Sequence, residues 1–377
     1  MNIIIGADLV PTSSNAQYFK NADVNHLLGS DLSRILDNAD YRIFNLETPL
    51  TDNRQPILKH GPDLIAPKDS INGIKSIKVD LFTLANNHIL DQGEQGFFDT
   101  VKLLDENKIA YVGAGENSDK ASDTFIFQCD GKKIGVYACA EHEFSIATDS
   151  TCGANPYDPL VSFDAVSDLK NKCDYLIVLY HGGKEHYRYP SPNLQRVCRK
   201  FADKGADLII CQHSHCIGCM EEYNTSTIVY GQGNFLFDKK DNEYWSTSLL
   251  VNIKDNFEID YIPLIKAGDA VRVADTESAK NILCDFALRS DQIKQDGFIE
   301  KEYAALSKRE IDAHLFQMSA IKRGFLYKVI NKLSGHRFEK WLLCRLYRKN
   351  KILYIQNMVK CETHIELIAN GLSGKLK

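Results

Sequence analysis

Five short apolar runs in this sequence each stop at a side chain that can bind a metal ion. Ile3 to Ile5 leads to Asp8, Ile43 to Leu46 to Glu47, and Leu81 to Ala85 to Asn87 and His88. Leu176 to Tyr180 leads to His181, and Ala206 to Ile210 leads to His213 and His215. Apolar runs this short, bounded by turn residues, read as buried strands. Between them lie segments with helical apolar spacing, such as Phe97, Val101 and Leu104, or with helix-start signals, such as Ser191-Pro192. Such alternation predicts an α/β fold, in which strand ends share a rim and sites form outside it.

Each residue has a plainer reading beside the functional one. Two histidines one residue apart, as in His213-Ser214-His215, are a ligand pair or simply a solvated or core-satisfied pair. Asp8, after Gly6-Ala7, is a hard oxygen ligand or a turn-forming or capping aspartate. Alternation puts Glu47 on one face with Asn45, and a carboxylate buried there needs a partner or a metal. Asn87 beside His88 suits an amide oxygen on a metal and an imidazole facing substrate, or else a turn with both side chains on the backbone. Asp91, three residues on, is placed to orient His88 through its second nitrogen. Gly182-Gly183 after His181 let backbone approach a ligand closely. The tight turn Gly231 to Phe235 carries Asn234 toward the same region. Arg54, Lys59 and His60 in a polar loop meet an anionic substrate or stay solvated, the latter being the plainer expectation. Glu141 to Asp158, without periodicity, reads as a loop over the site. Cys211, Cys216 and Cys219 lack the second ligand pair of a structural zinc knuckle.

The apolar and charged fractions, 44% and 25%, are those of a soluble globular protein, so disorder is excluded. From Met318 onward there are 13 Lys and Arg against three Glu, about +10, while the whole chain is -5. The candidate catalytic groups therefore lie in the acidic part, which argues against a nucleic-acid enzyme. Eleven cysteines, odd in number and irregularly spaced, fit reduced thiols. With no basic n-region, and no apolar stretch near the ~20 residues that span a bilayer, the expected location is cytoplasmic. Strands are expected up to Leu264 and helices from Lys266, giving a domain at 1–265 and a helical extension at 266–377. Within the extension Phe338 to Tyr354 is helical, basic and aromatic. It suits an anionic membrane surface, a synthase or an anionic polymer, and equally a solvated basic face.

Taken in order, Gly6-Ala7-Asp8, NLETPLT with Glu47, ANNHILDQG with Asn87, His88 and Asp91, HGGKE with His181 and Glu185, QHSH with His213 and His215, and YGQGNFLF with Asn234 resemble the CapA family. This family, of capsule and poly-gamma-glutamate synthesis, is related to the calcineurin-like metallophosphoesterases. The resemblance spans about Asn2 to Leu264. It implies a four-layer αββα sandwich of the metallophosphoesterase type with a C-terminal helical extension. It also implies one or two divalent ions (Mn, Fe or Zn), with Asp8 and His215 on the first, Asn87, His181 and His213 on the second, and Glu47 bridging. His88, with Asp91, would serve the leaving group, and Lys184, Glu185 and Asn234 would meet the substrate, a phosphoester or an anionic polymer. The sequence departs from the phosphoesterase pattern at four points. Asp-x-His is Asp8-Leu9-Val10, Gly-Asp is spaced as Gly-Ala-Asp, Gln212 stands before the histidine pair, and Gly182 follows His181.

Overall fold

The apolar runs fold as strands of two stacked sheets in a computed structural model that describes residues 1–237, 242–335 and 337–375. In chain order the strands are β1 (Ile3–Leu9), β2 (Tyr41–Leu46), β3 (Leu81–Thr83), β4 (Ala110–Val112), β5 (Ala114–Gly115), β6 (Phe125–Cys129), β7 (Lys132–Ala140) and β8 (Gly153–Ala154). They continue with β9 (Tyr175–His181), β10 (Leu208–Gln212), β11 (Met220–Tyr223), β12 (Ser226–Val229), β13 (Asn234–Leu236), β14 (Thr247–Ile253), β15 (Ile259–Ala267) and β16 (Ala270–Val273). The first sheet runs β16-β15-β14-β1-β2-β3-β4, with β13 added to β1. The second runs β11-β12-β10-β9-β7-β6, and β5 and β8 form a small pair.

Strand alternation explains the layers. In the second sheet Val136, Ala138, Ile177, Leu179, Leu208 and Ile210 join the core shared with the first sheet. Their neighbours Tyr137, Cys139, Val178, Tyr180, Ile209 and Cys211 pack on helices Ser162–Lys170 and Pro192–Asp203. Period-2 burial on both faces is what a sheet clad in helices demands. Helix Val24–Asp37 clads the other sheet through Leu27, Leu28, Leu32 and Leu36. The result is the four-layer α/β sandwich expected from the sequence.

Parallel pairing then fixes where the chemistry lies. β1, β2, β3 and β4 run parallel, as do β7, β9, β10 and β12, so their carboxyl ends collect along one rim of each sheet. The unusual spacing Gly6-Ala7-Asp8 is absorbed by a bulge. Ile5 pairs with Ile43 and Asp8 with Asn45, so β1 spends three residues where β2 spends two. A Cβ on Gly6 would sit 2.0 Å from Cε1 of Phe44, so only glycine lets the ring lie over the bulge.

Some elements differ from expectation. Beyond Lys266 the chain adds β16, hidden in the sequence because Ala270-Val-Arg-Val is too short to show alternation, and reached through Gly268 at φ +70. Helix Val24–Asp37 was not legible because Gly29, at φ +71, breaks its periodicity; Arg272 fills that space and donates to the carbonyls of His26 and Leu27. The stretch expected to be helical, Phe338 to Tyr354, is divided between two helices, Arg337–Leu346 and Lys349–Lys360. Between them Tyr347 turns inward, its hydroxyl donating to the Leu315 carbonyl at 2.7 Å.

The chain forms two compact units, Met1–Glu300 and Lys301–Lys377. Among its described residues the second is built of helices around a small core of Phe316, Leu343 and Tyr347. Among the described residues no helix is long and apolar enough to cross a membrane.

Candidate metal centre

Asp8 ends the bulged β1, Glu47 follows β2, Asn87 and His88 follow β3, His181 ends β9, and His213 and His215 follow β10. Sheet stacking brings these five strand ends to one place. Two sets of potential ligands result, Glu47–His181–His213 and Asp8–Glu47–His215, with the ligand atoms of each set within 4.8 Å of one another. Glu47 belongs to both. His213 and His215 turn their rings inward through left-handed backbone, at φ +81 and +53. Such conformations cost roughly 1–3 kcal/mol each and are kept where the surroundings force them.

The distances match a cation's ligand shell. Around His181 Nε2 stand Asn87 Oδ1 at 3.0 Å, His213 Nδ1 at 3.1 Å and Glu47 Oε1 at 3.3 Å. A ring nitrogen can give at most one proton, so three acceptors cannot all be satisfied by it. Ligands bound at about 2.0–2.2 Å to one ion are themselves roughly 3.0–3.5 Å apart. On the other side His215 Nδ1 lies 2.9 Å from Asn234 Oδ1 and 3.4 Å from Asp8 Oδ2.

Burial makes a partner necessary. Asp8 and Glu47 are fully buried, and Asp8 Oδ2 and both Glu47 oxygens have no hydrogen-bond partner among the described residues. Buried carboxylate oxygens without donors cost several kcal/mol unless a cation meets them. The donor set of carboxylate, amide oxygen and imidazole fits a divalent transition ion.

Proton affinities follow from the crowding. Burial, then the charge of Asp8, pushes the Glu47 carboxyl up to about 8. For Asp8 burial acts the same way, but the His215 imidazole facing it 3.4 Å away overrides burial and holds the carboxyl low. Burial brings His181 down to about 4 and His213 well below its ordinary value, so both are neutral and ligand-competent at pH 7. Burial would lower His215 as well, but Glu47 and Asp8 raise it to about 9. Without a cation, a proton on His215 is thus the positive charge that faces the Asp8 carboxylate.

A second layer of hydrogen bonds orients the first. Asn45 Nδ2 donates to Asp8 Oδ1 at 2.7 Å, and Asn45 Oδ1 accepts from Asn86 Nδ2 at 3.0 Å. Asn86 Oδ1 accepts from the His88 backbone at 3.1 Å, so one amide chain ties three strand ends together. Glu143 accepts from Asn87 Nδ2 at 2.7 Å, which turns Asn87 Oδ1 toward His181. Ser145 Oγ donates to the Asn87 carbonyl at 2.8 Å, so the loop after β7 does reach the site.

His88 stands beside this cluster, near enough for its charge to act on Glu47 and His181. Its Nδ1 is 2.6 Å from Asp91 Oδ2, the orienting contact expected from sequence. Lys59, expected to be solvated, instead has a side chain only 3% exposed, paired with Asp91 and 3.2 Å from His88 Nδ1. The plainer expectation failed because nothing in its loop shows that it folds back onto Asp91; Leu64 N also donates to that carboxylate at 2.6 Å.

Among the predicted substrate contacts, Asn234 opens β13 beside His215, while Lys184 and Glu185 lie exposed on the loop after β9. Gly182 takes the place of a larger residue because the Glu141 side chain fills the space, 2.6 Å from a built Cβ. Gln212, in place of glycine, reaches across to the Gly6 carbonyl at 3.4 Å and bridges the sheets. Val10 is buried with its amide on the Leu236 carbonyl, so the first-motif position contributes no ligand. Cys211, Cys216 and Cys219 are buried apolar residues, and neither ligand set contains a cysteine. Asn45, Asn86 and Glu143 went unread as site residues. Asn45 shares the face of Glu47, and Asn86 opens the Asn-Asn-His run; Glu143 had no such signal.

A family profile described as "Bacterial capsule synthesis protein PGA_cap" matches residues 3–239. The capsule biosynthesis protein CapA of Bacillus anthracis is 29% identical over 245 residues, 62% of this chain and 60% of that protein. The PGA biosynthesis protein CapA of Bacillus subtilis is 28% identical over 256 residues, covering 65% and 67%. The match thus spans some three fifths to two thirds of these relatives. Among solved structures, a phosphatase from Mycoplasma pneumoniae aligns with a TM-score of 0.43 at 15% identity, over 79% of this chain and 98% of that one.

Proposed function

We propose that this chain, which belongs to the bacterial capsule synthesis protein family PGA_cap, is a metal-dependent hydrolase acting in the synthesis of capsule or poly-gamma-glutamate polymer. The observation that carries the reading is the pair of ligand sets sharing Glu47, with three carboxylate oxygens lacking donors. Glu47, His181 and His213, with Asn87, would hold one divalent ion, and Asp8, Glu47 and His215 the other. Divalent ions so placed supply water activation at neutral pH and Lewis acidity toward the scissile bond.

The chain's own groups do the rest. Asp91 fixes the His88 ring through Nδ1 and leaves Nε2 to carry a proton for the leaving group. Lys59 balances the Asp91 charge, so that carboxylate orients the imidazole without standing alone in the interior. Asn45 and Glu143 preset Asp8 and Asn87, so little reorganisation accompanies binding. The scissile bond is a phosphoester or a gamma-glutamyl amide, and both are served by the same water and the same proton donor.

The test measures bound ions and turnover on aryl phosphomonoesters, phosphodiesters and gamma-glutamyl amides. His88→Ala should keep its ions and lose roughly 10²- to 10⁴-fold in kcat on substrates with poor leaving groups. His213→Ala should lose ions and turnover together. Full ion content with no turnover on any of these bonds would instead favour a non-catalytic accessory role, in which the ion binds carboxylates of an anionic polymer.

A further inference from the structure

Helix Phe325–Leu333 is arranged inside out. Its buried residue is polar, Asn331, whose Oδ1 accepts from the Glu339 backbone at 3.0 Å. Tyr327, on the same side, packs between the rings of Phe316 and Phe338. The opposite face shows Phe325, Leu326 and Leu333 to solvent at 82%, 74% and 84% exposure, with Ile330 beside them at 44%. A spacing of 325, 326, 330 and 333 covers one face of a helix, and the turns carrying Lys328 and Lys332 flank it. Apolar exposure so concentrated marks a surface that is covered in use.

The charge around it says by what. Between Ser319 and Cys361 there are eleven Lys and Arg and a single acidic residue, Glu339, which Arg323 takes at 3.0 Å. Trp341, in the next helix, is 55% exposed, and Tyr354, in the one after, 61%. Exposed leucines ringed by lysines, with Trp and Tyr alongside, match the interface of an anionic bilayer: apolar groups enter the acyl boundary and cations meet lipid phosphates. A second copy of this surface fits poorly, since two patches of about +10 repel.

We propose that the face built on Phe325, Leu326 and Leu333 docks the protein on anionic phospholipid, independently of the metal centre. The full chain should float with vesicles of phosphatidylcholine plus phosphatidylglycerol and scarcely with phosphatidylcholine alone, and added salt should weaken the binding. Replacing Lys328 and Lys332 with Gln should lower binding roughly fivefold for each lysine. Leu326→Gln with Leu333→Gln should abolish flotation while circular dichroism and ion content stay as in wild type. No flotation of the wild type on either vesicle overturns the proposal. So does undiminished flotation of the leucine variant, or a leucine-dependent dimer in solution without lipid binding.

Discussion

Removing the charge of Glu47 should stabilise the metal-free protein, although Glu47 is the residue both ion sites share. With a folded-state value of about 8 against an ordinary 4.5, the carboxyl holds a proton in the folded chain where the unfolded chain has released it. Between those values the native state binds more protons than the unfolded one, so stability falls as pH rises, by about 1.4 kcal/mol per unit. At pH 7 that amounts to roughly 3 kcal/mol, absent below pH 4.5 and complete above about 8. Glu47→Gln deletes this cost. It gives part of the gain back, because Glu47 is also the main charge that raises His215 against its burial. The net expectation is a gain on the order of 1–3 kcal/mol at pH 8 in chelator, shrinking to nothing at pH 4.5. Denaturant unfolding at the two pH values measures it. With manganese or zinc added the order should reverse, wild type gaining stability from the ion and the variant little. A metal-free Gln variant less stable than wild type at pH 8 would refute the reasoning, because Glu47 would then have partners that offset its burial.

Three other outcomes follow from the same geometry. Gly6→Ala puts a methyl 2.0 Å from the Phe44 ring, so it should cost about 1–3 kcal/mol or more and shift Asp8, seen as lower ion stoichiometry. Lys59→Met leaves Asp91 buried without its cation and should cost about 3–5 kcal/mol in chemical denaturation; unchanged stability would place Lys59 in solvent. Ion affinity should rise as pH climbs through about 8 and about 9, because Glu47 and His215 must release protons before they can bind. Calorimetry in buffers of different ionisation enthalpy counts those protons, and pH-independent affinity would contradict the assignment.

Much of the site was readable because its residues follow strand ends, and parallel pairing turns five separate motifs into one rim. Asp8, Glu47, Asn87, His181, His213 and His215 stood out through the apolar-run pattern, and their roles as ligands came from the resemblance to the CapA family. The supporting residues were harder. Lys59 and Glu143 lie in loops, where position depends on long-range contacts that leave no periodic trace. The extra residue at Gly6-Ala7 reads as a mismatch in one dimension, yet it is a bulge that pairing with β2 accommodates. β16 and the kinked helix Val24–Asp37 escaped for a related reason, since four residues or a central glycine erase periodicity. The exposed face of helix Phe325–Leu333 was invisible as such, because a helical apolar stripe looks the same whether it faces a core or solvent.

The most direct measurement is anomalous diffraction at the metal edge from crystals soaked in manganese. Two peaks should flank the Glu47 carboxylate, one among Asn87, His181 and His213, the other between Asp8 and His215. Full occupancy elsewhere in the molecule, with no peak within coordinating distance of Glu47, would contradict the account.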